Sequence, residues 1–206
     1  MNEFDLKAAG WDRNMMHRER AEAVAAAIIR QIPLSKNMTA MEFGAGTGLL
    51  SFMLTEHLGR ITMIDSSEGM VNVLREKLPR SEGQSLKAVK ADLEKEDYSD
   101  EQFDLIYSLM VLHHVIDVEK ILEKFSVMLK AGGYLAIADL YREDGSFHGH
   151  GFTGHKGFDP EILEASLESH GFGEVKHSQV YSIEKVTDGN EARKFGVFLI
   201  TAVRKQ

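Results

Sequence analysis

Three glycines stand at every second position, Gly44, Gly46 and Gly48, in the stretch TAMEFGAGTGLLSFML. A glycine inside an element costs about 0.5–1 kcal/mol relative to alanine, so three in five residues imply a ligand that comes close to the backbone. Further along, His113 and His114 follow the apolar run FDLIYSLMVL. A histidine titrates near 6.5, which suits a proton acceptor at neutral pH; the alternatives are packing or capping of the next helix. A third group lies in FHGHGFTGHKGF, where His148, His150 and His155 alternate with glycines and phenylalanines. Imidazole ligates zinc, iron and nickel, but ligands separated by Gly149, Gly151 and Gly154 lack a rigid frame. No metal is expected, and a hinged lid over an apolar pocket is preferred to a solvated loop without a role.

The elements around these residues alternate. MTAMEF (38–43), ITMID (61–65), LKAVKA (86–91), FDLIYS (103–108) and YLAIADL (134–140) are short and apolar at their centres, as strands buried on both faces are. Between them, TGLLSFMLTEHL, SEGMVNVLREKL and VEKILEKFSVMLK repeat apolar residues three and four apart. This order predicts right-handed β-α-β crossovers and a doubly wound α/β fold. Ala131-Gly132-Gly133 is expected to end a helix and turn into the next strand. Residues 17–32 form an alanine-rich helix ended by Pro33, and residues 159–172 a helix with Pro160 in its first turn. EVKHSQVYSIEKV and KFGVFLITAVRK, separated by the polar TDGNEAR, predict an antiparallel hairpin closing the sheet.

The 206 residues fit a single domain, 1–206, with a proper core. With no cysteine there is no disulfide framework and no thiolate nucleophile or metal ligand. A net charge of −8 without a basic block disfavours nucleic acid and favours a small-molecule partner. Neither a membrane span nor a signal peptide is read in the sequence, so a cytoplasmic location is expected.

A nicotinamide dinucleotide loop, G-x-G-x-x-G, would need glycine where Leu49 stands. The sequence from Glu42 is instead E-F-G-A-G-T-G, which resembles the cofactor loop of class I S-adenosylmethionine-dependent methyltransferases. Asp65, twenty-one positions after Gly44, ends the next apolar run, and KADLE, FDLIYSLMVLHHV and MLKAGGYLAIADL follow in the family's order. The resemblance covers residues 38–140 and is similar to the small-molecule branch that includes the ubiquinone and menaquinone C-methyltransferases. It implies S-adenosylmethionine as cofactor, and a seven-stranded, mostly parallel, Rossmann-like sheet with its last strand antiparallel.

The resemblance also implies a site. Glu42, Gly44, Ala45, Gly46 and Gly48 would form the cofactor loop; Asp65 would meet the ribose, unless it only caps the next helix, and Ser66 and Met70 would also contact the cofactor. Asp92 and Leu93 would meet adenine, unless Asp92 is an ordinary acidic loop residue. Ser108 and Leu109 would line the cofactor after the fourth strand. AAGWDRNMMHRERA (8–21) is similar to an N-terminal helical lid, assigned to residues 1–33; Trp11 would cover the pocket or anchor a core. Residues 141–206 would carry the acceptor-side loop, a helix and the closing hairpin. His113 and His114 are the candidate bases, with Tyr107, Asp139 and Tyr141 as further rim candidates and His148, His150 and His155 on the acceptor side. The expected reaction is methyl transfer to a small organic acceptor; the rivals are a non-catalytic cofactor-binding module and a nicotinamide oxidoreductase.

Overall fold

The apolar runs become strands because each feeds side chains to both faces of one sheet. The computed structural model describes residues 3–78, 85–98, 101–187 and 191–206. Its strands are β1 (Thr39–Phe43), β2 (Arg60–Asp65), β3 (Ser85–Lys90), β4 (Phe103–Leu109), β5 (Leu129–Leu140), β6 (Phe172–Val186) and β7 (Ala192–Arg204). They form one seven-stranded sheet in the order β3-β2-β1-β4-β5-β7-β6. The first five run parallel, whereas β7 lies antiparallel between β5 and β6. The expected doubly wound sheet and its closing hairpin are therefore present; residues 188–190 of the polar connection lie outside the described residues.

The helices are α1 (Glu3–Lys7), α2 (Met15–Gln31), α3 (Leu49–Leu54), α4 (Glu68–Lys77), α5 (Val118–Met128) and α6 (Pro160–Ser169), with 3-10 turns at Ala8–Arg13 and Leu112–His114. Strand alternation divides the core in two. Ala40, Leu105, Tyr107 and Ala138 pack with Val24 and Ile28 of α2 and Leu50 and Leu54 of α3. Met41, Ile106 and Ile137 pack with Ile121 and Phe125 of α5 and Leu163 of α6 on the other face. Asn14 caps α2 by accepting from the Met16 amide, and Asp159 caps α6 ahead of Pro160.

One expectation needs correction. Ala131-Gly132-Gly133 does not end a helix: α5 stops at Met128, and β5 already pairs with β4 at Leu129. The register shifts between Phe103 and Leu105, where Gly132 has a φ of 78°, so the glycines absorb an irregularity within the strand.

Candidate active site

Doubly wound sheets bind ligands beyond the carboxyl ends of their strands. Here a cavity of about 930 Å³ opens at the ends of β1 and β2 and at the segments following β3 and β4. The N-terminal residues Phe4, Lys7 and Trp11 cover its mouth. They are fixed by Asp5, which accepts hydrogen bonds from the Ser67 hydroxyl at 2.6 Å and the Gly69 amide at 3.0 Å at the start of α4.

Gly44, Ala45 and Gly46 curl beneath the cavity. Gly44 has a φ of 67°, and a Cβ there would stand 2.5 Å from Val111, so only glycine fits. Gly48 serves the helix that follows. It precedes α3 with a φ of 82° and packs towards Leu74 and Phe52, away from the cavity wall. Glu42 is buried at the end of β1, where its carboxylate accepts from Ser51, whose hydroxyl is also 2.6 Å from that of Tyr107. Burial raises the Glu42 pKa to about 8. Tyr107 is fully buried beneath this pair rather than on the rim.

Asp65 faces the cavity and also shapes it. One carboxylate oxygen accepts from the Gly46 amide at 2.7 Å, the other from the Ser67 amide at 2.8 Å, and burial raises its pKa. The side-chain cap of α4 is Ser67, so Asp65 is not merely that cap. Ser66, Met70, Asp92, Leu93 and Leu109 also line the cavity. Asp92 is held by Lys95 at 2.6 Å and accepts from the Glu94 amide. Ser108 does not reach the lining; its hydroxyl is buried without a partner among the described residues.

The histidines divide differently from their order in the sequence. His113, His114 and His148 line the cavity and form one cluster, their candidate ligand nitrogens within 4.8 Å of one another. Nδ1 of His113 lies 2.6 Å from Asp139 Oδ1, and the His113 amide donates to Oδ2 at 3.2 Å. Burial lowers the pKa of His114 and His148 to about 4 each, so both are neutral at pH 7. His148 stacks on Phe152 at 3.8 Å. His150 and His155 are exposed and stay outside the cavity, although the His155 amide donates to the His113 carbonyl at 2.8 Å. Tyr141 also lies outside it, packed edge-on against Phe198. Trp11 joins the rim by packing on His17 at 4.1 Å and edge-on to Phe4, which meets His114 at 5.2 Å.

Two cavity residues carry no sequence signal of their role. Arg20 sits on the alanine-rich α2, where a charge reads as a solvated face, yet it is only 6% exposed and faces the cavity. Lys185 comes from β6, more than 160 residues later in the chain, and lines the same cavity.

Known proteins resemble the chain over the same region. The family described as methyltransferase domain matches residues 41–137. The relative named uncharacterized methyltransferase C1347.09, from Schizosaccharomyces pombe, is 33% identical over 143 residues, 61% of this chain and 50% of that protein. The ubiquinone biosynthesis O-methyltransferase of Coxiella burnetii is 28% identical over 115 residues, 56% of this chain and 48% of that protein. The chain thus spans about half the length of these curated relatives. Among solved structures, a methyltransferase in complex with the Haloferax volcanii Trm112 methyltransferase activator is similar with a TM-score of 0.80 and 22% identity, covering 100% of this chain and 99% of that one. The matched stretch runs from within β1 to within β5 and so includes the ends of β1 and β2 and the segments after β3 and β4 that line the cavity. Residues 41–137 thus form a methyltransferase domain, similar to those of the class I S-adenosylmethionine-dependent methyltransferases.

Proposed function

We propose that this chain transfers a methyl group from S-adenosylmethionine to a small organic acceptor, with His113 as the proton acceptor. The observation that carries the reading is one cavity with acidic side chains spaced along its cofactor wall and an aspartate-held imidazole at its rim. The donor set suits the cofactor. A buried Glu42 fits a methionine ammonium, Asp65 has carboxylate lone pairs for ribose hydroxyls, and Asp92 and Leu93 lie where adenine would rest. When bound, S-adenosylmethionine supplies a sulfonium methyl: the acceptor's electron pair forms the new bond while the carbon–sulfur bond breaks and its electrons return to sulfur.

The chain's own residues align and deprotonate. Asp139 accepts from Nδ1 of His113 and leaves Nε2 as the lone-pair nitrogen, which takes the acceptor's proton. His114 and His148, neutral by burial, pack their rings against that of His113 without adding positive charge beside the developing imidazolium. Phe4 and Trp11 exclude water from above, and the loop containing His148 closes the acceptor side. The reading includes a cytoplasmic setting and no nucleic-acid partner; the net charge of −8 supports the second of these. The test is turnover of S-adenosylmethionine with a panel of phenols, quinols, amines and small acids, read by S-adenosylhomocysteine formation and product mass. Cofactor binding without turnover on any acceptor would leave a binding module instead.

A further inference from the structure

Three imidazoles meet at the cavity rim although no sequence spacing joins them. One ring nitrogen from each of His113, His114 and His148 lies within 4.8 Å of those of the other two. The His113 and His114 rings are 4.2 Å apart, and the His148 ring stands 5.0 and 5.2 Å from them. All three side chains line the cavity, His113 buried and the other two half-buried. Buried polar atoms are ordinarily hydrogen-bonded, yet Nε2 of His148 is buried with no hydrogen-bond partner among the described residues.

The expectation against a metal applies to a different set. His148, His150 and His155 are separated by glycines along one loop, and folding leaves His150 and His155 outside the cavity. Two of the clustered histidines instead follow one another on the 3-10 turn Leu112–His114, which the His113 amide fixes by donating to Asp139 Oδ2 at 3.2 Å. The loop that brings the third is pinned. The Glu143 carboxylate accepts from the Gly145 and Phe147 amides at 2.8 and 3.0 Å, His148 stacks on Phe152 at 3.8 Å, and the His155 amide donates to the His113 carbonyl at 2.8 Å. Lys185, the cation from β6, gives its ammonium to the Phe147 carbonyl and sits 5.0 Å above the Phe147 ring. Behind the cluster, Asp139 Oδ1 lies 2.6 Å from Nδ1 of His113. A metal-bound histidine almost always donates its other ring N–H to a carboxylate, carbonyl or water, which aims its lone pair at the ion. His113 has that partner in Asp139.

We infer that His113, His114 and His148 form a binding site for a zinc-class divalent cation, and that an ion held there takes the Nε2 lone pair of His113 that methyl transfer needs. Metal loading then switches the proton acceptor off. Neutral imidazole suits zinc, nickel, copper and iron, whereas magnesium and calcium select oxygen ligands. Three imidazoles leave a fourth tetrahedral position open to the cavity, where water completes the shell. Zinc–nitrogen bonds of about 2.0–2.1 Å draw the nitrogens closer together, a movement that side-chain rotation of the half-buried His114 and His148 supplies. The binding half of the inference stands apart from the methyl-transfer reading; the loss of the proton acceptor rests on it.

The experiment titrates zinc into chelator-washed protein in competition with a chromophoric zinc indicator, with magnesium in parallel. One zinc ion binds per chain and magnesium does not displace it. His148→Gln weakens zinc by about a hundredfold or more and Asp139→Asn by about ten- to a hundredfold, while His150→Gln, at an exposed position outside the cavity, stays within about twofold. His114→Gln carries the test should His148→Gln fail to fold. A wild type that binds no zinc would overturn the inference, as would undiminished affinity in folded His148→Gln and His114→Gln, which would assign the ion to surface histidines. Turnover is then followed as the site fills: it falls with zinc occupancy and returns with the chelator. Turnover that rises with occupancy overturns the switch, and with it His113 as proton acceptor. A protein without turnover on any acceptor, zinc-free or loaded, fails the methyl-transfer reading, and the zinc titration still decides the site.

Discussion

Nδ1 of His113 and Oδ1 of Asp139 lie 2.6 Å apart where the side chains are 1% and 0% exposed, and this contact decides which imidazole nitrogen faces the cavity. A carboxylate only accepts, so the proton stays on Nδ1 and the lone pair on Nε2. Asp139→Asn can instead offer an amide N–H to Nδ1 and stabilise the opposite tautomer. Turnover is expected to fall by about a hundredfold with S-adenosylhomocysteine affinity near normal, as steady-state kinetics beside calorimetry would show. Equal loss of both would make the pair a structural support.

His113→Asn goes one step further. It should lower turnover by about a hundredfold or more and remove the histidine-like limb of the pH-rate profile. A profile of unchanged shape would place the base elsewhere, with His114 the first alternative.

Glu42 gives a pH-dependent signature. Its pKa is raised to about 8 from an ordinary value of 4.5, so the folded chain holds a proton that the unfolded chain releases. That contribution to stability is fully present below about pH 4.5 and is lost as pH rises towards 8. Glu42→Gln should melt like the wild type at about pH 5 and above it at about pH 9. A cofactor ammonium favours the ionised form, so binding at neutral pH releases a proton, and the calorimetric enthalpy should vary with the buffer's ionisation enthalpy. Identical enthalpies in phosphate and Tris would contradict this role.

The sequence made the glycine-loop side of the cavity legible because its signals are local. Three glycines in five residues, and acids ending short apolar runs, mark strand ends without knowledge of the rest of the chain. The rim was less legible. His113 and Asp139 are 26 residues apart and meet only because β4 and β5 are neighbours. His148 parts from His150 and His155 because the loop has no period to read; it is fixed by contacts such as the His155 amide on the His113 carbonyl. Arg20 was hidden by the polar pattern of α2, and Gly132 looked like a helix terminator because a strand irregularity and a helix end use the same left-handed backbone.

Gly154 tests how firmly the loop supports the rim. A Cβ there would come 2.3 Å from the His113 carbonyl, so Gly154→Ala must push the loop or the imidazole. A loss of about 1–3 kcal/mol in chemical denaturation is expected, with reduced turnover and little change in cofactor affinity. Unchanged stability and turnover would show that the loop relaxes without disturbing His113.

Asp65 carries the cofactor assignment. Its oxygens hold the Gly46 and Ser67 amides at 2.7 and 2.8 Å, so Asp65→Ala removes the expected ribose contact and loosens the glycine loop together. The measurement that tests the central claim most directly is parallel calorimetric titration of wild type and Asp65→Ala with S-adenosylhomocysteine and with NADH. Saturable one-to-one binding of S-adenosylhomocysteine by the wild type is predicted, weakened about ten- to a hundredfold in the folded variant, with no binding of NADH. Binding of NADH but not S-adenosylhomocysteine would contradict the account, as would a folded Asp65→Ala protein with undiminished affinity.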